Sequence, residues 1–214
     1  MRLDHISYAT SHDQLSDTVQ RIGSRLGISF IDGGIHPRFG TRNFTATLKN
    51  QQYIEIVCPL DHPATELTPW GRAVSRKAME GGGWFTWVFS MDDIAPIEEK
   101  FGRAAILGHR TLPDGSDLQW KQIGVKEITE MRELPFFIEW LSTDHPSKFG
   151  IPLAEITSIK IADAEELSES WFKQDILSSM GTVSIEWVVP GELDNQTGIV
   201  SVEFETASGI VSLD

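Results

Sequence analysis

Two glutamates and one histidine stand alone inside apolar segments of this sequence. Glu55, Glu139 and His5 each lie in a short run whose other residues are mostly hydrophobic, as in a buried strand. A carboxylate costs several kcal/mol when it is buried without a partner, so each glutamate needs a compensating group. A divalent metal ion is one such group, and one imidazole with two carboxylates can hold it. The sequence therefore predicts a metal site made of His5, Glu55 and Glu139.

Structural roles for the same three residues are the alternative. His5 would then be a hydrogen-bonded histidine within a strand, and Glu55 or Glu139 would face solvent from an edge strand. A further alternative for Glu139 is an ion pair with Arg132 or Lys121. The sequence alone leaves both interpretations open.

The composition describes an acidic globular chain. The 214 residues include 31 Asp and Glu against 18 Lys and Arg, which gives a net charge of −13. This charge disfavours nucleic acid and anionic membranes as partners. No run reaches the roughly 20 apolar residues needed to cross a bilayer, and the N-terminus lacks a signal-peptide pattern. We expect a small-molecule substrate or ligand, and a monomer or homodimer.

Cys58 is the single cysteine of the chain. One cysteine excludes an internal disulfide, and a reducing, cytoplasmic location is the simplest expectation. Because Cys58 lies in an apolar strand pattern, we predict a buried, unreactive thiol rather than a nucleophile.

The hydrophobic periodicity repeats the order strand, helix and three strands. The first copy is predicted at about 2–9, 12–26, 28–32, 42–49 and 52–58. A connecting helix follows at about 69–80, and the second copy is predicted at about 84–89, 92–101, 104–108, 117–123 and 136–141. A third copy is predicted at about 156–161, 164–177, 182–189, 198–205 and 209–213.

This pattern predicts an α+β fold of paired βαβββ modules whose strands form a curved mixed sheet. Residues 1–145 would form one domain, and 146–214 would add a third βαβββ-like module at the C-terminus. Within the first domain, the modules would span 1–65 and 82–145, joined by a connecting helix over 66–81.

Superposing the first two copies indicates where their side chains would meet. Residues 3–6 fall on 85–88, and residues 53–56 fall on 137–140. If the modules pair about a pseudo-twofold axis, four side chains converge in the cavity between them: His5, Glu55, Trp87 and Glu139.

This arrangement resembles the vicinal oxygen chelate superfamily, which includes glyoxalase I, extradiol dioxygenases and bleomycin-resistance proteins. The resemblance implies that His5, Glu55 and Glu139 hold a divalent metal ion (Mn, Fe, Ni, Co or Zn) at the bottom of a cup. The fourth position departs from the pattern, because Trp87 cannot bind such an ion. The departure puts true glyoxalase I activity in doubt and leaves open positions for water or substrate.

A narrower resemblance lies in the segment Gly-Gly-Ile-His-Pro-Arg-Phe-Gly-Thr-Arg-Asn at 33–43. It is similar to a segment of the bacterial glyoxalase-like domain family, and residues 134–140 also fit that family. Together these likenesses span about residues 1–145. The C-terminal module lacks the ligand residues, and we expect it to be structural.

Read without the family, the same segment is suited to recognising an anion. Arg38 and Arg42 can clamp an oxyanion through their forked donors, with Asn43 as a further polar contact. His36 is a candidate general base. The structural alternatives are that His36 caps a turn, that the arginines are solvated, and that Asn43 forms a turn.

Two functions from different classes fit these residues. The first is a metal-dependent enzyme of lyase or isomerase type, acting on a small carbonyl or hydroxy-acid substrate, with Glu139 and His36 moving protons; dioxygenase chemistry fits less well. The second is a metal-free binding protein of the bleomycin-resistance type, whose pocket would use Trp84, Trp87, Trp140 and Glu139. In the enzyme, Trp87 and Trp140 would shape the substrate pocket.

Overall fold

The computed structural model describes residues 1–162, 172–190 and 197–214, and within 172–174 the backbone alone. Twelve strands lie in these ranges: β1 (Arg2–Ala9), β2 (Ile31–His36), β3 (Thr41–Thr47), β4 (Tyr53–Pro59), β5 (Gly83–Ser90), β6 (Ile106–Thr111), β7 (Asp117–Ile123), β8 (Phe136–Trp140), β9 (Glu155–Ala162), β10 (Ser184–Val188), β11 (Gly198–Thr206) and β12 (Gly209–Leu213). The helices in the same ranges are α1 (Leu15–Leu26), α2 (Pro63–Leu67), α3 (Pro69–Met79), α4 (Ala95–Phe101) and α5 (Phe172–Ser179).

The first eight strands close into a barrel in the order β1-β4-β3-β2-β6-β7-β8-β5. Each module contributes four neighbouring strands, in which the first and last pair in parallel and the other pairs are antiparallel. The modules join where β1 pairs with β5 and where β2 meets β6. The predicted α+β fold of paired βαβββ modules is confirmed, and the curved sheet is closed.

Local sequence explains where the helices begin and end. Helix α1 buries Leu15, Ile22 and Leu26 on one face and ends at Gly27, whose φ of 65° favours glycine. The strand predicted at 28–32 begins later, at Ile31, because the chain leaves the helix through this left-handed residue before it extends.

Two apolar layers follow from the alternation of side chains along the strands. The outer layer packs the barrel wall against α1, α4 and the C-terminal strands, and includes Trp87, Phe89 and Phe137. The inner layer fills the lumen and includes Val88 and Phe136. Successive residues of one strand therefore point into different layers. An error of one residue in the predicted register moves every side chain of the strand from the inner layer to the outer layer, or the reverse.

The last four strands form a second sheet in the order β10-β9-β11-β12. Its element order repeats that of the modules, but β9 lies between β10 and β11, whereas β1 pairs with the last strand of its own module. The sheet touches the barrel where the Trp84 indole N–H donates to the carbonyl of Leu213, at 2.8 Å. Most of the helix predicted at 164–177 lies outside the described residues.

The described helices were also compared with the length of a membrane span. Within residues 1–162, 172–190 and 197–214, none is both long and apolar enough to cross a bilayer.

Candidate functional site

The lumen of the barrel encloses a small cavity where the two modules meet. The cavity has a volume of about 30 Å³, room for the centres of about two water molecules. It is lined by His5, His36, Phe39, Asn43, Tyr53, Glu55, Trp70, Arg110, Trp120, Gln122, Phe136, Ile138 and Trp140. All these side chains are buried except that of Trp140, which is partly exposed and marks the mouth of the cavity.

His5 is held in place by the residue before it. The Nδ1 atom of His5 lies 2.8 Å from the Oδ1 atom of Asp4, and the imidazole stacks on the Tyr53 ring with 4.3 Å between centroids. An ionised carboxylate can only accept a hydrogen bond, so His5 donates from Nδ1. In the neutral imidazole this leaves the lone pair on Nε2, as a ligand or a base needs.

Asp4 is fully buried and is surrounded by hydrogen-bond donors. Its Oδ2 atom accepts from Nε2 of His145 at 3.0 Å and lies 3.1 Å from the Arg2 guanidinium and 3.4 Å from the Trp140 indole nitrogen. Burial raises the pKa of Asp4, but the hydrogen bonds from His145 and His5 outweigh burial and hold this pKa well below its usual range. Asp4 therefore stays ionised and fixes the tautomer of His5.

Glu55 is the carboxylate inside the cavity. Its two oxygens accept hydrogen bonds from the Ser7 hydroxyl at 2.7 Å and from the Asn43 amide at 2.6 Å. Burial raises the pKa of Glu55, but nearby His5 and His36 and these two hydrogen bonds lower it further than burial raises it. Glu55 is therefore an ionised, oriented carboxylate.

His36 ends β2 and turns its ring towards the same cavity. Its Nδ1 atom shares a hydrogen bond with the Thr41 hydroxyl at 2.8 Å. Burial lowers the pKa of His36 to about 4, and Arg110 lowers it too, although Glu55 acts in the opposite direction. His36 is therefore neutral at physiological pH.

This neutral histidine predicts an acid-sensitive fold. Unfolded His36 binds a proton below its ordinary pKa of 6.5, whereas folded His36 does so near 4. Stability is therefore retained above pH 6.5 and falls as the pH drops from 6.5 towards 4, by about 2 kcal/mol between pH 7 and pH 5. Urea unfolding at both pH values should show this loss in the wild type and a much smaller loss in His36→Gln. Equal losses in the two proteins would contradict the prediction.

Arg110, on β6, places a guanidinium inside the barrel. The side chain is 2% exposed. Within the described part of the chain, its Nε and Nη2 atoms have no hydrogen-bond partner. Burial lowers the pKa of Arg110, while Tyr53, Glu55 and Asp32 raise it. The guanidinium is thus a cation in the lumen with unused donors.

Gly33 makes room for this arginine. A Cβ atom at this position would collide with the Asn43 amide oxygen and lie 2.8 Å from Nη1 of Arg110. The first glycine of the Gly-Gly segment therefore permits a close approach between β2 and two cavity side chains.

Two further side chains that line the cavity, Gln122 and Asn43, carry unpaired polar atoms. The Gln122 amide oxygen accepts from the Trp120 indole at 2.7 Å. Among the described residues, the Gln122 amide nitrogen and the Asn43 amide oxygen have no hydrogen-bond partner. Buried polar groups are seldom left this way without a ligand or water to complete them.

Glu139 lies outside the cavity, which corrects the predicted three-ligand set. It accepts from the Lys121 ammonium at 3.2 Å and from the backbone N–H of Ile94 at 3.1 Å. Lys121 and Glu139 are directly opposed across β7 and β8, and both face outwards. The superposition of the modules was one residue out of register, so the inward position belongs to Ile138.

The same register error accounts for Trp87. Its ring packs against Phe89 in the outer layer, and its indole N–H donates to the carbonyl of Glu133 at 2.9 Å. The inward neighbour on β5 is Val88. Trp140, by contrast, does line the cavity.

The two predicted arginine clamps also lie away from the lumen. Arg38 is exposed in the turn after β2. Arg42 pairs with Asp32 and sits over the Phe44 ring on the outer face of β3. Asn43, the next residue, faces inwards and binds Glu55.

These positions decide how well the cavity fits the expected metal ion. His5 and Glu55 lie in the lumen, but Glu139 does not join them. Across residues 1–162, 172–190 and 197–214, no three His, Cys, Asp or Glu side chains are grouped so that they could hold a metal ion. The predicted ligand set therefore does not fit.

Sequence reasoning missed three polar or charged residues of the cavity, Tyr53, Arg110 and Gln122, as well as Asp4 beside it. Asp4 was visible as a charge beside His5 in an apolar strand. Arg110 gave no comparable signal, because its strand was predicted to end at residue 108, before the arginine.

Cys58 is buried, as predicted. Burial raises the pKa of its thiol to about 11, so the group is not a reactive thiolate.

Comparison with known proteins gives one family match and several similar folds. Residues 3–175 match the family described as glyoxalase-like domain. None of the curated proteins matches the chain. A hypothetical protein from Staphylococcus aureus has a similar structure over 100% of this chain and 98% of its own, with a TM-score of 0.70 and 16% identity.

Two enzymes share part of the fold at a lower level. Methylmalonyl-CoA epimerase from Mycobacterium tuberculosis aligns with 65% of this chain and 86% of its own, with a TM-score of 0.43 and 16% identity. A variant of the Streptomyces coelicolor methylmalonyl-CoA epimerase, in complex with 2-nitronate-propionyl-CoA, aligns with 68% and 99%, with a TM-score of 0.45 and 18% identity.

Proposed function

Because the chain belongs to the glyoxalase-like domain family, we propose that it is an enzyme of lyase or isomerase type that moves a proton on a small oxygen-rich substrate inside the barrel. One observation carries this proposal: the buried Asp4 carboxylate holds Nδ1 of His5, and the imidazole lines the cavity together with Glu55 and Arg110. An imidazole oriented by a carboxylate is a common general base in enzymes.

His5 would remove a proton from a carbon next to a carbonyl or carboxyl group. The C–H bond breaks, the proton passes to Nε2, and the electron pair moves onto the carbonyl oxygen as an enolate. Returning the proton to carbon completes an isomerisation, and expelling a leaving group from the neighbouring carbon completes an elimination. The buried guanidinium of Arg110 would place a positive charge close to the developing enolate, as oriented cations do in other enzymes.

Tyr53 and Glu55 flank this base. Burial, with Asp4 and Glu55 nearby, raises the pKa of Tyr53 well above its usual value, so its phenol stays protonated. The ionised Glu55 carboxylate favours the positive charge that His5 acquires when it takes a proton. Both groups support proton transfer within the lumen.

A divalent ion (Mn, Fe, Ni, Co or Zn) stays a prediction, for which His5 and Glu55 supply two ligands. Because Glu139 lies outside, we assign proton transfer to protein side chains. The metal-free binding protein is the second candidate, and the aromatic rings of Trp70, Trp120 and Trp140 along the cavity favour it. A cationic ligand is disfavoured, because it would meet Arg110.

Deuterium exchange tests the proposed enzyme. Small 2-oxo acids, 2-hydroxy acids and 1,3-dicarbonyl compounds are incubated with the protein in D₂O, with and without EDTA, and proton NMR follows the signal beside the carbonyl or carboxyl carbon. We expect wild type to catalyse exchange of at least one compound, and His5→Gln to be slower by about 100-fold or more.

The same experiment separates the two functions. A compound that binds the wild type without exchange favours the binding protein. Exchange that His5→Gln retains at the wild-type rate would rule out His5 as the base. Loss of exchange in EDTA, with recovery on adding a divalent ion, would assign the chemistry to a metal instead.

A further inference from the structure

We propose that Arg110 is a receptor for a carboxylate and that the ligand of the cavity is a small monocarboxylic acid. The proposal names the substrate class of the proposed enzyme. That this acid is also a substrate rests on the proposed function, whereas its binding to Arg110 does not. Its basis is a guanidinium that is 2% exposed and whose Nε and Nη2 atoms lack a partner among the described residues.

Burying such an arginine costs folding free energy unless a ligand pairs with its charge and its free N–H donors. Removing a charge from water costs several kcal/mol, and each buried donor left unpaired adds a penalty of about 1–3 kcal/mol. Within the described residues Glu55 does not remove this cost by hydrogen bonding: its oxygens accept from Ser7 and Asn43, and Nε and Nη2 of Arg110 stay unpaired. A ligand carboxylate would supply both the missing charge and the missing acceptors.

The unused donors match the shape of a carboxylate. Guanidinium nitrogens present parallel N–H groups that pair with two carboxylate oxygens. The Gln122 amide nitrogen is also unpaired within the described chain and lines the same cavity. Lysine would provide one point charge in place of this fork, so Arg110→Lys is a sensitive variant.

The remaining walls limit the rest of the ligand. On β8 the side chains that line the cavity include Phe136 and Ile138, which offer apolar contacts alone. With a volume of about 30 Å³, room for about two water molecules, the cavity restricts the ligand to a very small acid, and the surrounding rings would move to admit it. Where metal ligands were expected, the second module therefore supplies an apolar wall and the positive charge of Arg110.

Calorimetric titration with pyruvate tests the receptor. Pyruvamide, which has the same number of heavy atoms and no charge, is the neutral comparison. We expect the wild type to bind pyruvate with or without EDTA. It should bind pyruvamide at least about 30-fold more weakly, because pyruvamide cannot form the charged hydrogen-bonded pair with Arg110.

Arg110→Met and Arg110→Lys should each weaken pyruvate binding by at least about 10-fold. The matched control is Arg38→Met, at an exposed arginine, which should bind as the wild type does.

Each outcome decides the proposal. Equal affinity of the wild type and Arg110→Met, equal affinity for pyruvate and pyruvamide, or no pyruvate binding by the wild type would overturn it. Circular dichroism establishes that the variants are folded. If pyruvate binding depends on Arg110 but no compound exchanges deuterium, the carboxylate receptor is supported and the proposed enzyme is rejected. If the wild type catalyses exchange but Arg110→Met binds pyruvate as the wild type does, the enzyme is supported and the receptor is rejected.

Discussion

Asp4→Asn is expected to slow deuterium exchange by about 10³–10⁴-fold, because it removes the acceptor that fixes the tautomer of His5. Every contact of the Asp4 carboxylate is with a donor: His5, His145, Arg2 and the Trp140 indole. An asparagine amide can donate to Nδ1 of His5, which moves the imidazole proton to Nε2. The base then lacks its lone pair although the shape of the site is conserved.

The tautomer itself can be measured. In long-range nitrogen–proton NMR spectra, wild-type His5 should carry its proton on Nδ1, and Asp4→Asn should shift it to Nε2. Asp117→Asn is the matched control, because Asp117 also lies beside a histidine, 3.8 Å from His109, but is exposed on the barrel. An unchanged tautomer with lost activity would show that Asp4 acts by other means.

Arg110→Met is expected to stabilise the ligand-free protein. The change removes a buried cation with two unpaired nitrogens and replaces it with an apolar chain of similar length. We expect the free energy of unfolding to rise by about 1–2 kcal/mol, and the melting temperature to rise by about 2–6 °C. Loss of the attraction between Arg110 and Glu55 keeps the gain below the full cost of the buried charge.

Thermal unfolding with and without pyruvate checks this expectation. Pyruvate should raise the melting temperature of the wild type and leave that of Arg110→Met unchanged. Arg38→Met should differ from the wild type by no more than about 0.5 kcal/mol, because its side chain is exposed. A lower melting temperature in Arg110→Met would mean that the arginine stabilises the empty barrel.

The sequence was sufficient to predict most of the fold. Nearly continuous apolar runs at β4, β5 and β8 made the paired modules visible, since each strand has one face in the lumen and one in the outer layer. The same apolar runs explain the error at Glu139. Both faces of β8 are largely apolar, so the pattern did not indicate which face was inward, and a shift of one residue exchanged Ile138 for Glu139.

The site was harder to predict because its polar residues come from many strands. His5, Glu55, His36 and Asn43 could be found from isolated charges and from a glycine-rich segment, all within the first module. Arg110 depends on how β6 meets β2 across the module junction, and no local pattern encodes that pairing. The ion pair between Glu139 and Lys121, one of the structural alternatives that the sequence offers, is present in the structure.

The hydrogen bond between Asp4 and His145 bears on where this chain can be divided. His145 accepts from the backbone N–H of Ser147 at 3.1 Å, and the carbonyl of the intervening Pro146 accepts from the Thr47 hydroxyl at 3.1 Å. A barrel fragment that stopped at residue 145 would contain every residue of the cavity but would lack the anchors of the histidine that holds Asp4. An engineered single-barrel version would therefore have to extend to about Ala154, whose carbonyl accepts from the N–H of Lys49 at 2.9 Å.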